Sequence, residues 1–483
     1  MSKKFLLALL IFITIFSISA NAQTLNDALR IGYPGLGSNA RALGMGNAYI
    51  GLSDDASSSF FNPAGLGLLR RMEFSGGLDF SSFDNQTTLF NSTTSDNNNS
   101  ARLNRLSFAL PIPTVRGSLV LGISYQNVKD FNQVVKFDAF NPNNSWIQAF
   151  TAQNNNLPYD LYLSNGVYDT SGNYIGDFTN INGRLQQSGD ILYEGGLHNW
   201  TFSGAVEVQK NLFLGLNVNI NTGSFESNND YYEEDIKNVY TGELIAGEPT
   251  TNDFQKFHIN RRTIWDISGW DAKFGMLYQL NNFARFGLAV QFPKFVNIKE
   301  EFLVSAESQF ANKTYEVNPD DFSDKVEYQI ITPFTFEGGF AVNYAGLIFS
   351  AQASMTDYSQ LQFDKPVGIQ SIDLENRNKD IKDLLDVVIN YNLGLEYIIP
   401  RTGFRLRGGY FVQPSAYKND NSEFDKKYLT AGLGLLANET LAIDFGFVHG
   451  WWKDFGENYG TGLSTTHQSI KLNKYVLTTT FRF

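Results

Sequence analysis

The sequence contains no cysteine, so disulfides and thiolate-held metals are both excluded. Histidine is scarce: His198, His258, His449 and His467 are all there is, and no two stand at a metal-ligand spacing. No Gly-x-Ser-x-Gly elbow is present. These shortages nominate no catalytic residue, no metal site and no cofactor, and the chain reads as a non-enzyme. Two acidic clusters, Asp230, Glu233, Glu234 and Asp235, and Asp320, Asp321 and Asp324, read as solvated faces rather than cation sites. Basic charge is in the minority, 37 Lys and Arg against 49 Asp and Glu, which argues against nucleic acid as a partner.

Long apolar runs are missing too, with one exception. Phe5 to Ile18 follows Lys3 and Lys4 and leads into Ala20-Asn21-Ala22. That is the three-part layout of a secretory signal peptide over residues 1–22, with the mature chain starting near Gln23. No cysteine follows the run, so lipid attachment of the usual lipoprotein kind is excluded. Beyond it no stretch reaches eighteen apolar residues, which excludes spanning helices.

What is abundant is aromatic and glycine content: 41 Phe, 23 Tyr and 42 Gly, with only 13 Pro. The aromatic residues recur at period two. Tyr475, Leu477, Thr479 and Phe481 share one face of the last segment, while Val476, Thr478, Thr480 and Arg482 share the other. Fourteen such segments can be counted, near 71–81, 101–111, 116–130, 197–210, 211–225, 260–280, 284–297, 327–344, 345–358, 387–399, 403–414, 426–437, 439–452 and 469–483. Short turns such as Lys210-Asn211, Asn281-Asn282 and Asn438-Glu439 alternate with long loops near 82–100, 131–196, 226–259, 298–326, 359–386, 415–425 and 453–468. Strict short-long parity is the signature of a membrane barrel, whose short turns face the periplasm. The expected fold is all-β, a fourteen-stranded antiparallel transmembrane barrel over 71–483, placed in the cell outer membrane with both mature termini on the periplasmic side. Lipid and lipopolysaccharide are then its surroundings.

Charges recur on the face that this register turns inward: Asp271, Lys273, Glu337, Glu396, Arg405, Arg407 and Asp444. They are costly against lipid and acceptable in a lumen. Residues 23–70 are too polar and glycine-rich for a strand and fit a hatch, or plug, inside the barrel; a flexible periplasmic tail is the competing reading. Asn26 to Ile31 fits a helical turn capped by Thr24 or Asn26. Asp54 and Asp55 can pair with lumen arginines such as Arg405 or Arg407, or cap a local turn. Arg41 can pair with a barrel acid. Leu384 to Val388 fits a short helical piece, and 82–100 and 149–158 read as solvated loops. Loop 131–196 is long enough to fold over the mouth. Its Phe131, Phe137, Phe140, Trp146, Ile147 and Phe150 either line a ligand-entry groove or pack the loop on itself.

The hatch carries the most distinctive local pattern. Arg41, Gly44, Gly46, Asp54 and Asp55 precede Asn62-Pro63-Ala64. This resembles the FadL-like family of outer-membrane transporters for long-chain fatty acids and other hydrophobic compounds. Asn62, Pro63 and Ala64 match its Asn-Pro-Ala motif, and the terminal Phe483 is similar to the aromatic signal read by the barrel-assembly machinery. The hatch also resembles PorV-like secretion shuttles. The resemblance implies passive transport of a hydrophobic small-molecule cargo through an extracellular groove, a lumen pocket above the hatch and a lateral opening at a kink in the third strand, where Gly117 and Gly122 are the candidates. The alternatives are a PorV-like scaffold that binds a secreted or surface protein through its outer loops, and a general porin. The residues by themselves make the Asn-Pro-Ala unit a rigid corner, since proline fixes its own φ and restricts its predecessor.

Overall fold

The computed structural model of the chain describes residues 24–281 and 283–483. The signal-peptide segment, the mature start at Gln23, and Asn282 lie outside them.

Nineteen strands join one sheet, which closes as a barrel of fourteen antiparallel crossings. The first three crossings are β1 (Glu73–Leu89), β2 (Ser92–Ile112) and a divided strand, β3 (Leu119–Asp130) with β4 (Gln133–Asn141). A detached hairpin, β5 (Asn165–Tyr168) and β6 (Tyr174–Phe178), precedes β7 (Leu185–Gln209), β8 (Leu212–Glu234) and β9 (Phe254–Leu280). The next two crossings are divided as well: β10 (Ala284–Gln291) with β11 (Phe295–Phe310), then, past the short β12 (Lys313–Glu316), β13 (Asp324–Ile331) with β14 (Thr335–Tyr344). β15 (Leu347–Asp357), the loop strand β16 (Gln362–Val367), β17 (Val387–Ile398), β18 (Phe404–Gln413), β19 (Lys426–Ala437), β20 (Leu441–Glu457) and β21 (Thr465–Arg482) complete the wall. β21 pairs with β1 from Glu73 opposite Arg482 to Leu89 opposite Thr466, and that ladder closes the barrel.

The alternation read in the sequence becomes an apolar belt. On β17, Val387, Ile389, Tyr391, Leu393, Leu395 and Tyr397 all face outward and are exposed. Trp200 and Trp270 both register with Ile220 near one edge of the belt, and Tyr278, Tyr344 and Tyr397 lie toward the short turns. An exposed belt with aromatic margins is suited to lipid, and closure pairs its strands around the barrel except at one interruption beside the third crossing. No helix among the described residues is long and apolar enough to cross a membrane.

The wall is taller than the membrane requires. β7, β8 and β9 run 25, 23 and 27 residues, where about ten tilted residues suffice. The excess lies on the long-loop side, and several expected loops are therefore strand. Residues 82–100 continue β1 and β2 as a tall hairpin, paired rung by rung to Leu89 opposite Ser92. Polar Asn, Ser and Thr side chains occupy both faces here, the buried Asn85 and Thr87 included, so hydrophobic contrast weakens while the ladder continues. The 226–259 and 298–326 loops shrink for the same reason. Residues 149–158 hold two short helices, Trp146–Thr151 and Asn156–Asp160, capped by Ser145 and Asn155. The helical piece expected at 384–388 ends there instead: the helix is Ser371–Leu384, and β17 begins at Val387.

The interior is filled at three levels. The hatch lies beside the short turns. A middle apolar cluster surrounds the helix Leu25–Gly32, and a third packs the tall rim.

Candidate functional site

The hatch begins with Leu25–Gly32, which Thr24 caps reciprocally with Asp27. Its Ala28, Leu29 and Ile31 pack with Phe131, Phe225, Trp265, Tyr358 and Phe363 of the wall and loops. The Arg30 guanidinium lies 4.1 Å from the Phe225 ring centre. Lys129 of β3 closes the helix end by donating to the Arg30 and Tyr33 carbonyls.

Below it, Arg41 is the hub. Its Nε and Nη2 donate to the two carboxylate oxygens of Glu396 at 3.0 and 2.9 Å, and its Nη1 donates to Asp54 at 2.5 Å. Arg285 donates to the other Asp54 oxygen at 2.9 Å, and Arg407 bridges Glu396 to Asp444 at 2.6 and 2.7 Å. The barrel acid expected for Arg41 is thus Glu396. The Asp54 partners are Arg41 and Arg285 rather than Arg405 or Arg407, because Glu396 and Asp444 already hold Arg407. Asp55 caps the turn Ala56–Ser59 by accepting from the Ser57 amide. Burial would push the Asp54 carboxyl up, but the two guanidinium groups outweigh it and hold it well below the usual carboxylate range. The other lumen charges also face inward. Lys273 pairs with Glu337 at 2.7 Å, and Asp271 accepts from Asn219 and Asn221.

Glycines let this hatch lie directly against the wall backbone. A Cβ on Gly46, whose φ is +60°, would stand 2.4 Å from the Leu393 carbonyl, and one on Gly44 would stand 3.0 Å from Gly432 Cα. In the Asn-Pro-Ala unit, Asn62 accepts from the Ala64 amide and donates to the Ile50 and Met276 carbonyls, with Pro63 opening a turn of 3₁₀ helix. It is a corner tied at once to hatch and to β9.

The wall is interrupted beside the third crossing. β2 pairs with β3 from Ile112 opposite Leu119 up to Arg105 opposite Gln126, where the ladder ends. β3 stays on β7 through an irregularity at Asn127 and Lys129, while β4 pairs with β7 alone. β4 leans inward, so that Asn85 of β1 donates to the Val134 carbonyl. A side-chain staple crosses the gap in place of backbone bonds: Arg102 pairs with Asp130 at 2.9 Å, and Asp130 accepts from Ser100 and Ser81. On the outer face of β20, β21, β1 and β2, on the side of β2 away from the gap, an open crevice of about 470 Å³ is lined by Leu78, Phe80, Leu103, Phe445, Tyr475 and Leu477.

The candidate kink glycines are not at this interruption. Gly117 lies in the turn before β3, with φ +70°, and Gly122 is paired regularly on both sides. The break falls instead where Asn127, Val128 and Lys129 depart from alternation, and all three positions bear side chains. For the candidate residues of loop 131–196, one contact is within the loop, and the others are to the tall strands and a neighbouring loop. Trp146 stacks on Phe150 and Phe257 at 3.9 and 4.8 Å, and Phe131 meets Phe225 edge-on. Ile147 and Phe137 are buried with Trp146 in the rim cluster, whereas Phe131 belongs to the middle one, and Phe140 sits under the Lys237 amine. Glu233 is a buried anchor there, accepting from Trp146, Gln187 and Tyr231. Phe483 ends the chain, exposed, its amide donating to the Met72 carbonyl.

Sequence reading missed Arg285, Arg102, Asp130 and the pair Asn104-Arg105. The last had a signal: outward Leu103 and Leu106 stand three apart, not two, which marks a bulge.

A closed fourteen-stranded barrel with an apolar belt and a hatch seated in its lumen is the fold that carries these contacts. No protein-family model and no curated protein matches the chain. Among solved structures, it is similar to a FadL homologue of Pseudomonas aeruginosa, with 11% identity over 94% of this chain and 100% of that one and a TM-score of 0.58. It is also similar to the toluene transporter TodX of P. putida, with 13% identity, 94% and 99% coverage and a TM-score of 0.56. At such identities the likeness is one of fold.

Proposed function

We infer that the protein carries hydrophobic compounds passively across the outer membrane. Cargo enters from the long-loop side, replaces part of the apolar packing around Leu25–Gly32, and leaves through the gap beside β3. The interruption of the β2–β3 ladder at Arg105 and Gln126 carries this reading, because a barrel in lipid otherwise keeps its backbone bonds unbroken. A similar fold described as a toluene transporter supports it. The seated hatch weighs against an open aqueous porin. In this orientation both termini face the periplasm, and Phe483 serves barrel assembly. Protein purified from membranes should carry apolar molecules identifiable by mass spectrometry, with elongated density between the hatch and the rim. Protein free of such molecules, with a lumen that stays filled by its own side chains when saturated with a long-chain alcohol, contradicts the reading.

A further inference from the structure

The outer wall changes character over a few rungs at the closing ladder. Leu78 and Phe80 of β1 stand in register with Leu477 and Tyr475 of β21, and all four face outward. They line the open crevice of about 470 Å³, where the small, exposed Ala101 stands opposite Phe80 and leaves a hollow. The next outward rung toward the long loops is polar, with Ser82, Asn473 and His449. His449 Nδ1 donates to Asn473 Oδ1 at 2.8 Å, and Asn473 donates in turn to Asp84 at 3.4 Å. Above that rung a second hollow, of about 350 Å³, is lined by Asp84, Gln86, Ser95, Asn97, Ser469 and Lys471. The alternation that turns Phe80 outward turns Asp84 and Gln86 outward as well. An apolar hollow and a polar one therefore stand one above the other on the same outer seam.

The polar hollow sits at headgroup level. Lys427, Trp451, Lys471 and Asp84 follow one another along a single rung of β19, β20, β21 and β1. Tryptophan beside lysine on a lipid-facing wall marks the boundary between hydrocarbon and water. Lys453 is held by Glu423 at 2.8 Å, and Lys427 donates to the Ser422 carbonyl. Among the described residues no carboxylate pairs with Lys471, which lines the hollow and offers its charge to an anion from outside. The other lining groups are of a different kind. Asp84 only accepts, while Gln86, Asn97, Ser95 and Ser469 both donate and accept. A bare phosphate would be repelled by Asp84, whereas sugar hydroxyls can donate to it.

We propose that this seam binds a phosphorylated glycolipid of the surrounding membrane, the chemistry of the lipid anchor of lipopolysaccharide. The phosphate lies against Lys471, sugar hydroxyls meet Asp84, Gln86 and Asn97, and one acyl chain runs down past Ser82 into the hollow at Ala101. The outer wall at this height is covered by lipid in any case, and the charge pattern selects which lipid. Lys471 and Asp84 stand opposite each other in register, so a head that satisfies both carries a negative group and hydroxyl donors together. With the long loops outward, the seam faces the outer leaflet. It lies outside the barrel, apart from the cargo path, and does not depend on passage of cargo.

The test is native mass spectrometry of the full-length barrel, stripped of lipid in detergent and titrated separately with diphosphoryl lipid A, phosphate-free lipid A and phosphatidylglycerol. Diphosphoryl lipid A should bind one saturable site more tightly than either of the others. Lys471→Gln should weaken it by about fivefold, the effect of one lysine near an anionic lipid surface. Ala101→Phe, which fills the apolar hollow and keeps the wall apolar, should weaken it in the same direction. Lys299→Gln, which removes an exposed lysine of β11, should change nothing. Equal binding of phosphatidylglycerol or of phosphate-free lipid A overturns the site, as does binding that survives Lys471→Gln unchanged. Barrel dimers that form in place of the lipid complex overturn it too, and give the seam to a second copy of the chain.

Discussion

Arg41 and Glu396 stand 355 residues apart in the chain and meet through two parallel hydrogen bonds of 3.0 and 2.9 Å, so one ion pair joins hatch to wall. Glu396 is fully buried and also accepts from Arg407. The hatch is therefore held by a charge network inside the lumen as well as by apolar packing.

Breaking that pair should be expensive. Glu396→Leu leaves Arg41 and Arg407 facing an apolar side chain, and loss of one partner of a buried pair costs on the order of 3–5 kcal/mol. The expected outcome is a lower unfolding midpoint together with higher small-ion conductance in planar bilayers, as the hatch loosens. A lower midpoint at unchanged conductance would mean that the pair supports the barrel but not the seat of the hatch.

The same network sets an acid limit. Asp54 has its carboxyl held low by Arg41 and Arg285, so its contribution is fully present above the unfolded value of about 4 and is lost as pH falls through its folded value. Hatch protection measured by hydrogen exchange over residues 40–60 should be flat from neutral pH down to about 4 and then decline. Asp54→Asn should remove part of that decline. A transition centred near neutrality contradicts this assignment.

Gly46 combines a left-handed φ of +60° with the Leu393 carbonyl where a Cβ would go. Gly46→Ala should destabilise the folded barrel by roughly 1–3 kcal/mol, measurable as a fall in thermal midpoint. Gly44→Ala, which meets Gly432 Cα at 3.0 Å with an ordinary φ, should cost less. Equal effects would show that the hatch seats loosely.

The staple across the wall gap gives a further test. Asp130→Ala removes the acceptor for Arg102, Ser100 and Ser81 and should raise the transfer rate of a hydrophobic probe into the surrounding bilayer by several-fold. An unchanged rate removes the staple from the path.

How much of this could be read from residues alone depended on where hydrophobic contrast survives. Within the lipid belt, Leu393 and Leu395 alternate with Asn392 and Glu396, so strands and inward charges were visible together. Above the belt, Asn97 to Ser100 alternate only between water and a polar interior, and a regular ladder read as a loop. The hatch stood out through its glycines and Asn62-Pro63-Ala64, yet the partners of Arg41 and Asp54 come from β17 and β10, and long-range pairing has no local signature. The gap was expected at glycine, where strands bend most cheaply. It lies instead at Asn127 to Lys129, where β3 leaves β2 while keeping its bonds to β7.

The central claim is selective passage of apolar cargo. Its most direct test is the initial uptake of radiolabelled dodecanol and of arabinose by Gram-negative cells with and without the expressed barrel. The account predicts faster dodecanol uptake, saturating with concentration, and no change for arabinose. Faster arabinose uptake without a rise for dodecanol would contradict it and return the chain to the aqueous porins.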